Sequence, residues 1–86
     1  MRKPFVAGNW KMNKTIAESV ELAKGVAGGL GSDTNADVAI IPQFLAIPEV
    51  VKSVAGTPAK VGAQDVFYEE SGAFTGEIAP NMLKDA

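Results

Sequence analysis

The sequence contains neither cysteine nor histidine. Without cysteine there is no disulfide framework and no thiolate metal site, and without histidine the commonest general base and metal ligand is missing. Acid–base chemistry would therefore have to use carboxylates or lysines, or come from outside the chain. Phosphate-binding, dinucleotide-binding and metal-ligand spacings are also missing, so we expect neither a metal nor a cofactor.

The chain also lacks an excess of positive charge and a long hydrophobic run. It carries 8 Lys and Arg against 10 Asp and Glu, with no basic cluster, which argues against nucleic acid as a partner. No run approaches the ~18 apolar residues needed to span a bilayer, and the first apolar run is too short for a secretion signal. We expect a cytoplasmic protein without a membrane partner.

What the sequence does contain is a regular alternation of strand and helix patterns. Three short segments rich in β-branched residues, at 4–9, 37–41 and 60–64, are separated by helical stretches. The spacing of apolar residues predicts a first helix over 16–30, and proline and glycine positions predict a second over 48–55. Between 65 and 79 no period is visible, and a third helix is expected to begin after that loop.

The two ends of the first helix carry local signals of their own. Thr15 and Glu18 have the spacing of a capping box, and Gly31 follows the last apolar residue of the pattern. The order β-α-β-α-β-loop-α predicts an α/β fold with parallel strands, right-handed crossovers and helices outside the sheet. Periodicity alone leaves open whether such a sheet stays open or closes into a barrel.

Asn9 and Lys11 stand where the first predicted strand ends. In α/β sheets ligands bind beyond the carboxyl ends of the strands, and period-2 alternation places Lys11 on the same face as Phe5 and Ala7. A lysine facing a buried region is costly without a partner, so this position suggests a site for an anion. The alternative is that Asn9 is a turn residue and Lys11 a solvated loop lysine. Gln64, at the end of the third strand, is expected at the same edge.

The 65–79 loop is long enough to suggest a function. Gly72 and Gly76 permit positive φ angles at both ends of a tight excursion, and Phe74 and Ile78 supply apolar anchors. Such a loop could contact a partner subunit, or it could be a surface loop folded on its own apolar residues. Its adjacent acidic residues are typical of a solvated face.

Three motifs taken together resemble one family. The segments AGNWKMN (7–13), GAQD (62–65) and GAFTGEI (72–78), in this order, strongly resemble triosephosphate isomerases. The resemblance extends over 2–85, whereas a (β/α)8 barrel needs about 250 residues. It therefore implies that residues 1–86 are the N-terminal, incomplete portion of a single (β/α)8 domain, comprising its first three βα units.

The resemblance implies an enzyme of glycolysis and gluconeogenesis that interconverts dihydroxyacetone phosphate and D-glyceraldehyde 3-phosphate through an enediolate. It assigns Asn9 and Lys11 to substrate binding, with Lys11 as the cation that attracts the phosphorylated triose and stabilises developing negative charge. The family is itself the standard example of isomerisation by a glutamate base and a neutral histidine electrophile. Both are expected beyond Ala86, so the 86 residues alone should be inactive. The alternative is a non-catalytic βα fragment that acts only as an assembly module.

The resemblance also implies a homodimer formed through the 65–79 loop. The implied interface residues are Gln64, Phe74, Thr75, Gly76 and Glu77. Thr75 is expected near Asn9 and Lys11 of the partner subunit. Ala79 departs from the family pattern, because a serine N-cap is common at this position.

Overall fold

Three short parallel strands lie side by side in chain order in the computed structural model, which describes residues 3–31 and 35–86. The elements are β1 (Phe5–Asn9), α1 (Ile16–Gly29), β2 (Asp37–Ile41), a 3-10 turn (Phe44–Ala46), α2 (Ile47–Ser53), β3 (Lys60–Val61) and α3 (Pro80–Asp85). Phe5 pairs with Asp37, and Ala39 pairs with Lys60. The predicted α/β class is confirmed, and the arrangement fits the first βα units of a (β/α)8 barrel.

The core lies between β2 and the two longer helices. Small residues of α1, Ala23 and Ala27, let that helix approach α2, where Val50 and the C-cap residue Val54 join the core. All four are at most 6% exposed, and they pack with Ile40 of β2. Ala23 and Ala27 lie on the apolar face predicted for the first helix, whereas Ile16, at the start of the same face, is 44% exposed.

β1 is not the buried strand that its apolar sequence suggests. Phe5 is 67% exposed and Val6 is 55% exposed. The reason is positional: within the described residues β1 pairs only with β2, so its other edge and both faces are uncovered. The expectation that Lys11 follows a strand facing a buried region is thus wrong within the described residues.

Element ends differ from the sequence-based expectations by a few residues. α1 ends at Gly29 with Leu30 as its C-cap, and α2 covers Ile47–Ser53 rather than 48–55. β3 is shorter than the predicted 60–64 segment. Only the Gly62 N–H extends its pairing, by donating to the Ile40 carbonyl at 2.9 Å.

Thr15 and Glu18 form the predicted capping box at the start of α1. The Thr15 N–H donates to Glu18 Oε1 (2.9 Å), and the Glu18 N–H donates to Thr15 Oγ1 (3.3 Å). The hydrogen bond from the Thr15 backbone is the main cause that lowers the pKa of Glu18, and hydrogen bonding from the Thr15 hydroxyl adds to it. We expect Thr15→Ala to lower the free energy of unfolding of the full-length protein by about 1 kcal/mol, because one amide of the first turn loses its acceptor.

Urea unfolding measures this loss, and an NMR titration should show the pKa of Glu18 rising part of the way to its ordinary value. Thr15→Ser keeps the hydroxyl and is the matched control, for which we expect neither change. Unaltered stability of Thr15→Ala would show that the cap contributes nothing.

Asp37 links the amino ends of the three strands. Its Oδ1 lies 3.3 Å from Lys60 Nζ at the start of β3 and 3.5 Å from Lys3 Nζ just before β1. The hydrogen bond from Lys60 is the main cause that lowers the pKa of Asp37, and the charge of Lys3 adds to it. Because the folded pKa is depressed, the stabilisation is complete above the unfolded value of about 3.9 and is lost as pH falls through the folded value.

Asp37→Asn should therefore destabilise the full-length protein at neutral pH, and its difference from the wild type should shrink as the pH falls through that window. Urea unfolding at a series of pH values measures the difference. Asp65→Asn removes a carboxylate that has no ion pair in the described structure, so it should give little difference at any pH. A destabilisation by Asp37→Asn that stays constant with pH would disprove the linkage.

Candidate functional site

The chain turns sharply at the carboxyl end of β1. The Trp10 N–H still donates to the Ile41 carbonyl at 3.0 Å, one step beyond the last paired residue, Asn9. Lys11 then has a φ of +56°, in the left-handed region that side chains rarely adopt. The expectation that Lys11 continues the alternation of β1 is wrong, because a left-handed residue ends the extended backbone.

Two asparagine side chains stabilise this turn. Asn9 Oδ1 accepts a hydrogen bond from the Lys11 N–H at 2.9 Å, and Asn13 Nδ2 donates to the Trp10 carbonyl at 2.7 Å. Asn9 is thus a turn residue, as the alternative interpretation held. This role uses one of the two lone pairs of Oδ1, and the two hydrogens of Nδ2 are the donors that Asn9 can offer to a ligand.

Gln64 joins the ends of all three strands. Its Nε2 donates to the Lys11 carbonyl at 2.8 Å and to the Ile41 carbonyl at 3.2 Å. The prediction that Gln64 shares an edge with Asn9 is confirmed. The structure therefore brings together Asn9, Lys11 and Gln64 from segments that are far apart in the sequence.

The Lys11 side chain is exposed and has no ion-pair partner among residues 3–31 and 35–86, where salt bridges involve Lys3, Lys52 and Lys60 instead. A lysine without a carboxylate partner at the carboxyl edge of a parallel sheet can receive an anion. The arrangement supplies a cation and an amide donor.

An open groove of about 490 Å³ lies beside Asn9, on the side of α1. It is lined by Asn9, Trp10, Asn13, Lys14, Glu18 and Leu22. Lys11 is not part of this lining. The groove is therefore adjacent to the cation and is not the place where the cation would hold an anion.

The 65–79 loop folds on its own aromatic residues and keeps an exposed tip. Gly72 and Gly76 have φ angles of +139° and +89°, which confirms the predicted positive values. The Phe74 ring packs on Phe67 at 4.5 Å between centroids, and the Phe67 N–H donates to the Ile78 carbonyl at 2.8 Å. A Cβ at position 72 would lie 2.6 Å from Phe74 Cε2, so this close approach requires glycine.

The tip of this loop comprises Thr75, Gly76 and Glu77, which are exposed, and Phe74 is 43% exposed. In the part of the chain that the structure describes, no hydrogen bond links the tip to Asn9 or Lys11. The predicted substrate-binding and interface residues therefore form two separate groups, and Gln64 belongs to the first by its contacts.

Neither a metal site nor a membrane span is present in the described part of the chain. Residues 3–31 and 35–86 contain no group of three or more His, Cys, Asp and Glu side chains placed to hold a metal ion. None of the helices within these ranges has the length and apolar character needed to cross a membrane.

The left-handed backbone at this turn was not predicted from the sequence. Lys11 and Lys14, with φ angles of +56° and +78°, are both left-handed, although lysine is not a residue typical of that region. The available signal was the pair of asparagines, Asn9 and Asn13, each two residues from Lys11, because asparagine often stabilises turns through its own side chain.

Comparison with known proteins shows the family of the chain. A family model described as triosephosphate isomerase matches residues 4–86. The chain belongs to the triosephosphate isomerase family. A triosephosphate isomerase of Clostridium novyi is 52% identical over 85 residues, and those of Clostridium botulinum and Roseiflexus sp. are each 51% identical over 85 residues. Each alignment covers 99% of this chain, which spans about a third (34%) of the length of these curated relatives.

The triosephosphate isomerase family indicates which edge of a (β/α)8 barrel the loop after β1 would occupy. Barrels of this kind place their active sites at the carboxyl ends of the strands, in the loops that lead into the helices. The turn that carries Asn9 and Lys11 joins β1 to α1 and so lies at the carboxyl end of a strand.

Proposed function

We propose that the protein to which this chain belongs is a triosephosphate isomerase that interconverts dihydroxyacetone phosphate and D-glyceraldehyde 3-phosphate through an enediolate. Residues 1–86 would form the N-terminal portion of one (β/α)8 domain in a cytoplasmic enzyme of glycolysis and gluconeogenesis. The observation that carries the proposal is Lys11, a cation without a described ion-pair partner at the carboxyl end of β1, in a chain of this family.

Lys11 and Asn9 would supply the electrostatic part of the reaction. The Lys11 ammonium attracts the phosphorylated triose and stabilises the negative charge that develops on the enediolate oxygen. The Asn9 Nδ2 group donates a hydrogen bond to an oxygen of the substrate. The glutamate base and histidine electrophile of the family would come from residues outside these 86, since this sequence has no histidine.

The enzyme would act as a homodimer through the 65–79 loop. Support comes from the exposed tip and from the half-exposed ring of Phe74, an apolar group that a partner subunit could cover. In this arrangement Thr75 lies near Asn9 and Lys11 of the partner subunit, and Gln64, Gly76 and Glu77 contribute to the same interface.

The direct test is an isomerase assay of the full-length protein. D-glyceraldehyde 3-phosphate is supplied, and dihydroxyacetone phosphate is detected by its NADH-dependent reduction with a coupling dehydrogenase. We expect saturable turnover, with light scattering showing a dimer. A folded full-length protein without turnover would refute the proposed activity, and an active monomer would refute the proposed dimer.

One observation favours a second candidate, a non-catalytic βα module that assembles with a complementary chain. Phe5 and Val6 of β1 are exposed, and an uncovered apolar strand is a template for pairing with another chain. This candidate predicts binding of a complementary segment without any turnover in the assembled complex. The isomerase assay therefore distinguishes the two candidates.

A further inference from the structure

The backbone of Lys11 is held in an unfavourable conformation by side chains from outside the residue. A non-glycine residue with positive φ persists only where its surroundings impose it, and such residues cluster at functional sites. One restraint is local: Asn9 Oδ1 accepts the Lys11 N–H. The other comes from Gln64, which is 53 residues away in the sequence.

The side-chain amide of Gln64 can donate to two backbone carbonyls at once. Its amide nitrogen carries two hydrogens, and the two acceptors are the carbonyls of Lys11 (2.8 Å) and Ile41 (3.2 Å). The Ile41 carbonyl also accepts the Trp10 N–H at 3.0 Å. Gln64 thus attaches the peptide that follows Lys11 to the end of β2, the strand that supplies buried core residues.

We propose that Gln64 is a positioning residue for the isomerase reaction. It fixes the Lys11 carbonyl, and with it the left-handed backbone that directs the Lys11 ammonium toward the substrate anion. This inference rests on the proposed function and gives Gln64 a role inside its own subunit, in addition to the interface role that the family resemblance implies.

The chain offers a matched control at a second left-handed lysine. Lys14 has a φ of +78°, and its carbonyl accepts a hydrogen bond from Gln43 Nε2 at 3.5 Å. Gln43 also caps the 3-10 turn, because its Oε1 accepts the Leu45 N–H at 2.8 Å. Gln43→Met therefore makes the same chemical change as Gln64→Met, at a glutamine that does not contact Lys11.

The experiment compares steady-state kinetics of full-length variants with D-glyceraldehyde 3-phosphate. We expect Gln64→Met to lower kcat/KM by roughly 10- to 100-fold, the size expected for a small misplacement of a catalytic group. The loss should divide between kcat and KM in the same ratio as the loss caused by Lys11→Ala. Gln43→Met should leave kcat/KM unchanged even if it lowers the melting temperature.

A double-mutant cycle decides whether Gln64 acts through Lys11. In a Lys11→Ala background, Gln64→Met should have little further effect on kcat/KM, because the group that it positions is gone. Losses that multiply independently would overturn the inference, as would an equal loss in Gln43→Met. An inactive wild type would refute the proposed function, whereas an active wild type with unaffected Gln64→Met would refute only the role of Gln64.

A second variant keeps the test decisive if Gln64→Met fails to fold. In Gln64→Glu the ionised carboxyl has no donor and repels both carbonyls, whereas its protonated form can donate one hydrogen bond to the Lys11 carbonyl. The kcat/KM of this variant relative to the wild type should therefore rise as the pH falls. A ratio that does not change with pH would overturn the inference.

Discussion

Lys11→Ala in the full-length protein is expected to lower kcat/KM for D-glyceraldehyde 3-phosphate by roughly 10²- to 10³-fold, the size of effect seen when one preorganised electrostatic group is removed. The free energy of unfolding should change by no more than about 0.5 kcal/mol, because the side chain is exposed and forms no ion pair in the described structure. Alanine at the same positive φ keeps the backbone strain, so the variant isolates the ammonium. Steady-state kinetics and urea unfolding on one preparation measure both quantities.

Lys52→Ala is the matched control for this prediction. It also removes one positive charge, from a side chain on α2 that is 75% exposed and, within the described residues, pairs with Glu49 alone. We expect unchanged kinetics, because an exposed pair of this kind contributes little and lies on a helix outside the proposed site. Parallel losses of activity and stability in Lys11→Ala would instead make Lys11 a structural residue.

A polypeptide of residues 1–86 alone is expected to show no isomerase turnover and to associate or remain partly molten. It lacks a histidine, and its first strand exposes Phe5 (67%) and Val6 (55%) beside a row of unpaired backbone groups. Light scattering, amide NMR spectra and the coupled assay measure these properties. A monomer with sharp, dispersed resonances would contradict the first part of the prediction, and measurable turnover would contradict the second.

Two lysine substitutions identify the surface responsible for association. Val6→Lys places a charge on the exposed strand and should reduce the average mass in light scattering, because edge charges block strand pairing. Leu45→Lys alters a residue that is 75% exposed but lies in the 3-10 turn, so it should leave association unchanged. Equal effects of the two would mean that association is non-specific.

The elements with strong local signals could be predicted closely from the sequence. The bounds of β2 agree with the prediction, and α1 differs by one residue at its end, because its capping box and apolar spacing lie within a single segment. The positive φ angles of Gly72 and Gly76 were predictable for the same reason. Each of these features depends on neighbours along the chain.

Features that depend on distant groups could not be predicted in this way. β1 is exposed because no element of the described residues packs on its faces or its free edge. The apolar sequence of β1 itself does not indicate whether such elements are present. The left-handed backbone of Lys11 is held in part by Gln64, and periodicity carries no information about that pairing. The approach of Gln64 to the end of β1 was thus predictable from the order of the strands, whereas the backbone conformation of Lys11 was not.

The proposed isomerase function requires that the loop after β1 bind the phosphorylated triose. The most direct measurement is an NMR titration of the isotope-labelled full-length protein with glycerol 3-phosphate, which resembles the substrate but has no carbonyl to isomerise. We predict saturable amide shifts that are largest at Asn9 and Lys11 and are lost in Lys11→Ala. Saturable shifts located elsewhere, or shifts at Asn9 that persist unchanged in Lys11→Ala, would contradict the account.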